Sequence, residues 1–298
     1  MEILTKKPFE LNEFNSRIHD TVLIAGWLIG RADRTKKTYS KVLRSFFEYH
    51  KRISISETTT AHITTFLKSA EKRGVKPATL NLYLNALASL FRHALKQRKI
   101  ESDPTQGLKN YRVIDNFHQK VLHIDEINQM LLKTKRSRDR LLIKTLFYLG
   151  IRVSEATDIQ MTDFATSGGG VVLYIKGKGS KIRQMPIDGE FWAEICEYAG
   201  RLEIKDRNYL FTDEKDLSRR LSPFSLWKAV SSAGKRAKVG RKVHPHMFRH
   251  TSATMAMSEG APIHVVQARL GHASLGSTQK YLHANPSDGL HRYLPKIG

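Results

Sequence analysis

The sequence predicts a mainly α-helical protein with a small β-sheet, divided into an all-helical first domain and an α+β second domain. Three observations predict this fold class. Apolar residues recur at spacings of three and four through the first hundred residues, the periodicity lapses between Glu101 and Lys120, and β-branched alternation is concentrated in residues 171–187. A chain of 298 residues is long enough for two domains of ordinary size.

The first domain is predicted to be a bundle of amphipathic helices. One helix runs from Thr35 to His50, a second ends near Gly74, and a third opens with Pro77 in its first turn. The apolar stretch Leu23 to Leu28 completes the bundle. The residues expected to face its core are Tyr39, Val42, Leu43, Phe46 and Phe47, then Ile63, Phe66, Leu67 and Ala70, then Leu80, Tyr83, Leu84, Leu87, Leu90, Phe91 and Leu95.

A break in the helical pattern marks the boundary between the domains. Pro104, Gly107 and several polar residues interrupt the chain before Lys120. We therefore predict a first domain at residues 12–105, a linker at 106–120 and a second domain at 121–298.

The second domain is predicted to alternate between helices and a hairpin. Helices are expected around Ile127–Leu132 and Leu141–Leu149, and Arg152 follows the glycine that ends the latter. The runs Val171–Ile175 and Ile182–Ile187 predict a β-hairpin with Lys178 at its tip. A phosphate-binding P-loop is excluded at this turn, because its first glycine is replaced by a valine and a strand follows instead of a helix.

Two further helices are expected near the end of the second domain. The first opens with Pro245 after His244 and stops at Gly260, and the second spans Pro262 to Leu270. His246 and Arg249 are three positions apart in the first of them, so they lie on one face.

A metal at His246 and His250, which are four positions apart, is an alternative interpretation of this helix. The cation of Arg249 between the two ligands argues against it. We therefore expect no metal there and assign His250 a capping or core role.

The amino-acid composition of the chain restricts the kinds of partner and the setting that we expect for the protein. The formal charge of +22 and the pI of about 10.1 favour a polyphosphate partner, and nucleic acid is the simplest one. The longest apolar run, Val22–Ile29, is far shorter than the roughly 20 residues that a membrane-spanning helix needs. Cys196 is the only cysteine, which excludes an internal disulfide and favours a reducing, intracellular setting. We expect Cys196 to be a small buried apolar residue.

Several separated motifs resemble those of the tyrosine recombinase family, which includes phage integrases and Xer-type recombinases. The matching stretches, in order, are Leu149-Gly150-Ile151-Arg152-Val153-Ser154-Glu155, Gly177-Lys178-Gly179, His246-Met247-Phe248-Arg249-His250-Thr251, Leu270-Gly271-His272 and Ser277-Thr278-Gln279-Lys280-Tyr281. The resemblance covers nearly the whole chain, since the first domain is similar to the family's core-binding domain. Phe248, where the family usually has leucine, and Gly276 depart from its pattern.

The resemblance implies a set of catalytic residues: Arg152, Lys178, His246, Arg249, His272 and Tyr281, with Glu155 orienting the cations. Two guanidinium groups are suited to the charge that develops on a phosphodiester under attack. The phenol of Tyr281, whose ordinary pKa is about 10, would be the nucleophile. Lys178 is the expected general acid for the leaving 5′ oxygen, with Lys176 and Lys181, which lie within reach of the same turn, as alternatives.

The resemblance also implies a reaction and its partners. The protein would be a site-specific DNA recombinase or integrase, an enzyme that cleaves and rejoins duplex DNA through a 3′-phosphotyrosyl intermediate and a Holliday junction. It would need no metal, ATP or other cofactor. The two domains would form a C-shaped clamp on double-stranded DNA, and the protein would assemble as a homo-tetramer, or as a hetero-tetramer with a paralogue. Residues 286–298 would dock on a neighbouring subunit or on their own chain, and the protein would be cytoplasmic and associated with the nucleoid.

Two rivals to this function remain at the level of sequence. A type IB topoisomerase-like enzyme would relax DNA of any sequence with the same nucleophile. A non-catalytic DNA-binding regulator would need the positive charge but not the complete set of arginines, lysine, histidines and tyrosine. The presence of the whole set argues against the regulator.

Overall fold

The computed structural model describes residues 18–113, 117–177, 182–204, 208–213 and 216–271. The chain divides between Asp115 and Asn116 into two units, each with its own hydrophobic core. This division lies inside the segment 106–120 that the sequence marks by its lapse of periodicity.

The described part of the first unit is a helical bundle. Its helices are α1 (Ile18–Leu28), α2 (Asp33–Tyr49), α3 (Thr60–Lys72) and α4 (Pro77–Lys96). Pro77 occupies the first turn of α4, where its missing N–H has no helical partner to lose. Helices α1, α2 and α3 each pack against α4, so α4 is the centre of the unit.

The core of the first unit follows the predicted apolar stripes with one clear exception. The buried side chains include Val42, Leu43, Phe46, Phe47, Ile63, Phe66, Leu67, Ala70, Leu80, Leu84, Leu87, Leu90 and Phe91. Leu95 was expected in the core but is 37% exposed. It lies in the last turn of α4, where Ala94, with no exposed surface, is the residue that remains against the core.

The second unit combines helices with two small antiparallel sheets. Its helices are α5 (Ile124–Leu132), α6 (Ser137–Leu149), α7 (Val153–Ala156), α8 (Gly189–Arg201), α9 (Pro223–Arg236), α10 (Pro245–Ser258) and α11 (Ile263–Leu270). Its strands are β1 (Phe164–Ser167), β2 (Gly170–Lys176), β3 (Ile182–Ile187), β4 (Thr212–Asp213) and β5 (Asp216–Arg220). The order β1-β2-β3 forms one sheet, and β4 pairs with β5 in the other.

The predicted hairpin is confirmed as β2 and β3. Val172 pairs with Pro186 and Ile175 pairs with Arg183 in its register. The sequence did not predict β1, which pairs with the other edge of β2. Along β3, Arg183, Met185 and Ile187 alternate with more exposed residues, so Arg183 shares the inward face of the strand.

Helix α10 is central to the second unit. It packs against α6, α9 and α11, and the hydroxyl of Thr251 accepts a hydrogen bond of 2.7 Å from the backbone N–H of Leu122. Met247 and Phe248 on α10 are buried in the main core. The helix that carries His246 and Arg249 is therefore held on several sides.

Cys196 was predicted to be buried, and this prediction is wrong because the residue is exposed. Helix α8 buries Phe191, Ile195, Tyr198 and Ala199, which follow the helical repeat. Cys196 comes directly after Ile195 and is therefore rotated by about 100° from that buried stripe.

The overall prediction of a mainly helical chain with small antiparallel sheets is confirmed. Across the described residues, no helix combines the length and the apolar character needed to cross a membrane.

Candidate active site

The described site residues come from two parts of the second unit. Arg152 immediately precedes α7, Glu155 lies within it, and His246 and Arg249 lie in the first two turns of α10. The other three residues expected from the sequence, Lys178, His272 and Tyr281, lie outside the described residues.

Arg249 is a buried cation that joins the ends of two helices. It is only 3% exposed. Its Nη1 donates to the carbonyl of Gly150 at 2.9 Å, and its Nη2 donates to the carbonyl of Leu270 at 2.5 Å. These carbonyls lie at the C-terminal ends of α6 and α11, where helical carbonyls lack partners and the helix dipole is negative. The guanidinium therefore donates a hydrogen bond to one carbonyl at the end of each helix.

Gly150 is required where α6 ends against α11. Its φ of +57° lies in the left-handed region, which side chains other than glycine rarely adopt. A Cβ at this position would lie 3.0 Å from Cδ2 of Leu270 and 3.4 Å from Oγ of Ser252. The close approach lets Arg249 reach both carbonyls, and it fixes the start of the segment that leads to Arg152.

Glu155 collects hydrogen bonds from two arginines. Its Oε1 accepts from Nη1 of Arg152 at 2.8 Å, and its Oε2 accepts from the backbone N–H of Arg152 at 2.7 Å. Arg183 on β3 adds bonds of 3.1 Å to Oε1 and 2.6 Å to Oε2. The side chain of Glu155 is 7% exposed, whereas that of Arg152 is 34% exposed. Arg152 is thus oriented by a buried carboxylate and still reaches solvent.

Arg183 is a site residue that the sequence analysis missed. It was assigned only to a strand, yet its guanidinium binds Glu155 and its Nε donates to the carbonyl of Arg269 at 2.9 Å. A signal was present in the sequence, because Arg183 is in phase with the apolar residues Met185 and Ile187. A cation on the inward face of a strand needs a buried partner.

The carboxylate and the imidazole at this site have shifted pKa values. Burial by itself would raise the pKa of Glu155, but the hydrogen bonds and charges of Arg183 and Arg152 outweigh it and hold the pKa below its ordinary value. Glu155 is therefore ionised at neutral pH.

His246 is exposed as a residue, yet its ring is crowded enough for desolvation to be the main cause that lowers its pKa. The positive charges of Arg249, His244 and Arg152 lower this pKa further, while Glu155 raises it. His246 is therefore neutral at pH 7, with one ring nitrogen that donates and one that accepts. The protonation of His246 therefore depends on the neighbouring charges of Arg152, Arg249 and Glu155.

This arrangement has a definite chemical capacity. The guanidinium groups of Arg152 and Arg249 lie near the neutral imidazole of His246. Arg249 also binds the end of α11, directly before Gly271. Such groups can bind an anionic phosphodiester and exchange a proton near it. Among the described residues, no three or more histidine, cysteine, aspartate or glutamate side chains lie close enough together to hold a metal ion.

In the described residues, a helical unit is followed by an α+β unit in which Arg152, Arg249 and His246 lie near one another, as expected for a DNA strand-transfer enzyme. Comparison with family models agrees with this class. Residues 120–288 match the phage integrase family, and residues 28–101 match the phage integrase N-terminal SAM-like domain.

Individual relatives cover most of the chain. Tyrosine recombinase XerA of Pyrococcus horikoshii is 32% identical over 257 residues, which are 85% of this chain and 84% of that protein. Tyrosine recombinase XerD of Bifidobacterium longum is 27% identical over 286 residues, with coverage of 89% and 91%.

Solved structures share the fold. XerH recombinase bound to its palindromic difH substrate matches with a TM-score of 0.72 and 24% identity over 93% of this chain and 89% of that chain. A lambda integrase tetramer bound to a Holliday junction matches with a TM-score of 0.72 and 16% identity over 93% and 81%.

The chain belongs to the phage integrase family and is a tyrosine recombinase, a class of enzymes that catalyse DNA cleavage and strand transfer. The recognition made from its separated motifs is confirmed.

Proposed function

We propose that this tyrosine recombinase acts on specific sites in double-stranded DNA and exchanges strands through a 3′-phosphotyrosyl intermediate and a Holliday junction. The observation that carries the proposal is the convergence of Arg152, Arg249 and the carboxylate of Glu155 around the imidazole of His246 in a chain of this family. That convergence supplies a binding site for a phosphate, which a regulator that binds DNA through its overall charge alone would not require.

In the proposed reaction the phenol of Tyr281 attacks phosphorus and the 5′ oxygen leaves. Arg152 and Arg249 stabilise the negative charge that develops on the non-bridging oxygens. The neutral imidazole of His246, together with His272, accepts or shares the proton of the phenol. Lys178, or the neighbouring Lys176 or Lys181, donates a proton to the leaving oxygen. The covalent bond to tyrosine conserves the phosphodiester, so rejoining needs neither ATP nor a metal.

The proposed partner is duplex DNA. The net charge of +22 supports a polyanionic partner. XerH and lambda integrase were solved in complex with DNA, and one of the lambda integrase structures is a tetramer on a Holliday junction. By analogy we propose a homo-tetramer, or a hetero-tetramer with a paralogue, that acts in the cytoplasm on the nucleoid. Residues 286–298, outside the described part, are proposed to contribute subunit contacts.

Covalent trapping tests the proposed reaction. The protein is incubated, in the presence of a metal chelator, with a pool of nicked duplexes prepared from its host genome, and protease-sensitive DNA adducts are isolated and sequenced. We expect an adduct at a small set of sites. Tyr281→Phe should abolish the adduct. Tyr148→Phe, which removes the hydroxyl group of an exposed tyrosine on α6, should leave the adduct intact.

Other outcomes would identify the rivals. Adducts spread without sequence preference, accompanied by plasmid relaxation, would favour the type IB topoisomerase-like enzyme. Tight binding without any adduct would contradict the catalytic proposal and favour the regulator.

A further inference from the structure

One side chain outside the expected catalytic set connects three segments of the site. Arg183 lies on β3, the strand that follows the predicted turn containing Lys178. Its guanidinium forms two hydrogen bonds with the carboxylate of Glu155, and its Nε binds the carbonyl of Arg269 in the last turn of α11. Its side chain is only 12% exposed. Arg183 therefore links the hairpin, α7 and the end of α11 within one buried group.

We infer that Arg183 is a positioning residue for DNA cleavage, which acts through Glu155 on Arg152 and through the end of α11 on the segment that precedes His272. The inference rests on the proposed function, because it concerns the rate of that reaction. Arg183 is not proposed to touch the DNA.

The link to Arg152 is direct. Arg183 and Arg152 bind the same two carboxylate oxygens of Glu155, so a shift of the carboxylate would move the more exposed guanidinium. A paired arginine and carboxylate fix each other's orientation, since two parallel bonds constrain both distance and plane. Lysine carries its three donors on one nitrogen and lacks the planar fork of arginine, so it would not reproduce the two parallel bonds to Glu155 together with the separate bond from Nε to a carbonyl.

The link to the end of α11 involves Arg249 as well. Arg183 binds the carbonyl of Arg269, and Arg249 binds the carbonyl of the next residue, Leu270. Two arginines from different elements thus bind consecutive carbonyls of one helix end. Gly271 follows with a φ of +64°, and a Cβ there would lie 3.5 Å from Cδ and Nη1 of Arg183. The chain therefore leaves α11 against the side chain of Arg183.

A second arginine–glutamate pair lies in the same unit. Arg241 also forms two bonds with a glutamate, Glu126, at 2.7 Å and 2.8 Å, and its Nε binds the carbonyl of Gln119 at 3.0 Å. No described hydrogen bond joins this pair to Arg152 or Arg249. Arg241 is therefore a matched control for an arginine–glutamate pair that stabilises the unit without orienting the site.

The test compares cleavage, binding and stability for a set of variants on a nicked duplex that the unchanged protein cleaves. The variants are Arg183→Met, Arg183→Lys, Glu155→Gln, Arg183→Met with Glu155→Gln, and Arg241→Met. Adduct formation is measured in a single turnover at saturating DNA, together with the Kd for DNA and the Tm.

We expect Arg183→Met to slow adduct formation about 10²-fold, since a small misplacement of a group that orients the reaction has an effect of that size. The Kd should stay within about threefold, since Arg183 does not contact the DNA. Arg183→Lys should recover part of the rate. The double variant should be little slower than either single variant, because both changes disable one unit. Arg241→Met should lower the Tm while its rate remains within about twofold of the unchanged protein.

Distinct results would overturn the inference. Wild-type rates for folded Arg183→Met, or additive losses in the double variant, would remove the positioning role. If Arg183→Met does not fold, a wild-type rate for folded Glu155→Gln would remove the positioning role instead, because Arg183 is proposed to act on Arg152 through that carboxylate. If Arg241→Met slowed adduct formation equally, reduced stability of the unit would explain the slower reaction of Arg183→Met, and the positioning role would be removed. Absence of any adduct from the unchanged protein would instead overturn the proposed function, and the inference with it.

Discussion

At the scale of single residues, the site depends on arginines that are removed from water and hydrogen-bonded to protein groups, as Arg249 and Arg183 show. A buried guanidinium is costly unless its donors are satisfied. Arg249 donates to the carbonyls of Gly150 and Leu270, and Arg183 donates to Glu155 and to the carbonyl of Arg269. Groups that the proposed reaction needs are therefore also groups that hold the fold together.

Replacing Arg249 should damage stability and cleavage together. Arg249→Met would leave two carbonyls at helix ends without their donor, which should lower the free energy of unfolding by about 1–3 kcal/mol. Denaturant unfolding measures this loss, and the trapping assay should show no adduct. Arg92→Met is the control, because Arg92 is exposed and, among the described residues, its hydrogen bond goes to a carbonyl of its own helix. Equal stability of the two variants would contradict the anchoring role of Arg249.

His250 should make stability depend on pH. Burial, and then the charges of His246, Lys120, Arg249 and His244, lower the pKa of His250 from 6.5 to about 4. Between these values the unfolded chain binds a proton that the folded chain does not. The free energy of unfolding should therefore be retained above pH 6.5 and fall as the pH drops toward 4, by at most about 1.4 kcal/mol per pH unit from this group.

Thermal unfolding from pH 7.5 to pH 4.5 measures this dependence. His250→Leu should flatten the decline, whereas His264→Leu, which changes an exposed histidine on α11, should not. An unchanged slope in His250→Leu would show that other groups carry the dependence. His244 and His246, whose pKa values are also lowered, would contribute in the same direction.

At the scale of elements, the position of α10 depends on close packing between α9 and the segment that precedes α10. Gly234 on α9 lies so near Val243, just before α10, that a Cβ on Gly234 would lie 2.6 Å from Cγ2 and 2.7 Å from Cβ of Val243. Val243 is 1% exposed and cannot move aside without disturbing the core. Because Gly234 has no side chain, α9 can pack this closely against the segment that leads into α10.

The same substitution in two helices should have opposite effects. Gly234→Ala should destabilise the protein by about 1–3 kcal/mol, because the core must shift to accept the methyl group. Gly200→Ala on α8, where a Cβ would meet nothing within 4 Å, should be neutral or stabilise the helix by up to about 1 kcal/mol. Denaturant unfolding of both variants provides the comparison. A neutral Gly234→Ala would contradict the tight α9–α10 contact.

At the scale of the whole molecule, the dominant property is the charge of +22. Two separate hydrophobic cores allow each unit to carry part of that charge on its surface. Displacement of counterions from DNA by many lysines and arginines would supply affinity that is independent of sequence. Site choice would then need base or shape recognition in addition.

Affinity for random-sequence duplex DNA should therefore fall steeply with salt. If the protein neutralises six to ten phosphates, its affinity should drop roughly 10³- to 10⁵-fold between 50 mM and 200 mM salt. Fluorescence anisotropy with a labelled duplex measures the slope of log affinity against log salt. A slope near zero would contradict a predominantly electrostatic contact.

Much of the fold was accessible to sequence reasoning because its signals are local. Helices α2, α3 and α4 have strong apolar periodicity, and α10 and α11 have a proline at or just before their first turn and a glycine after their end. Helix α9 was not predicted, although its buried residues follow the helical repeat, because most of them are small; they are Leu226, Val230, Ser231, Ala233 and Gly234. Strands β4 and β5 were also missed because they are short.

The sequence by itself determined the family and the chemical types expected at the site, because the order and spacing of Arg152, Lys178, His246, Arg249, His272 and Tyr281 are properties of the chain. Only the tertiary structure decided the partners of Arg249 and Arg183. Arg249 binds a carbonyl 99 residues away, and Arg183 binds a carboxylate 28 residues away and a carbonyl 86 residues away. A hydrogen bond forms between groups that packing brings within about 3 Å, whatever their separation along the chain.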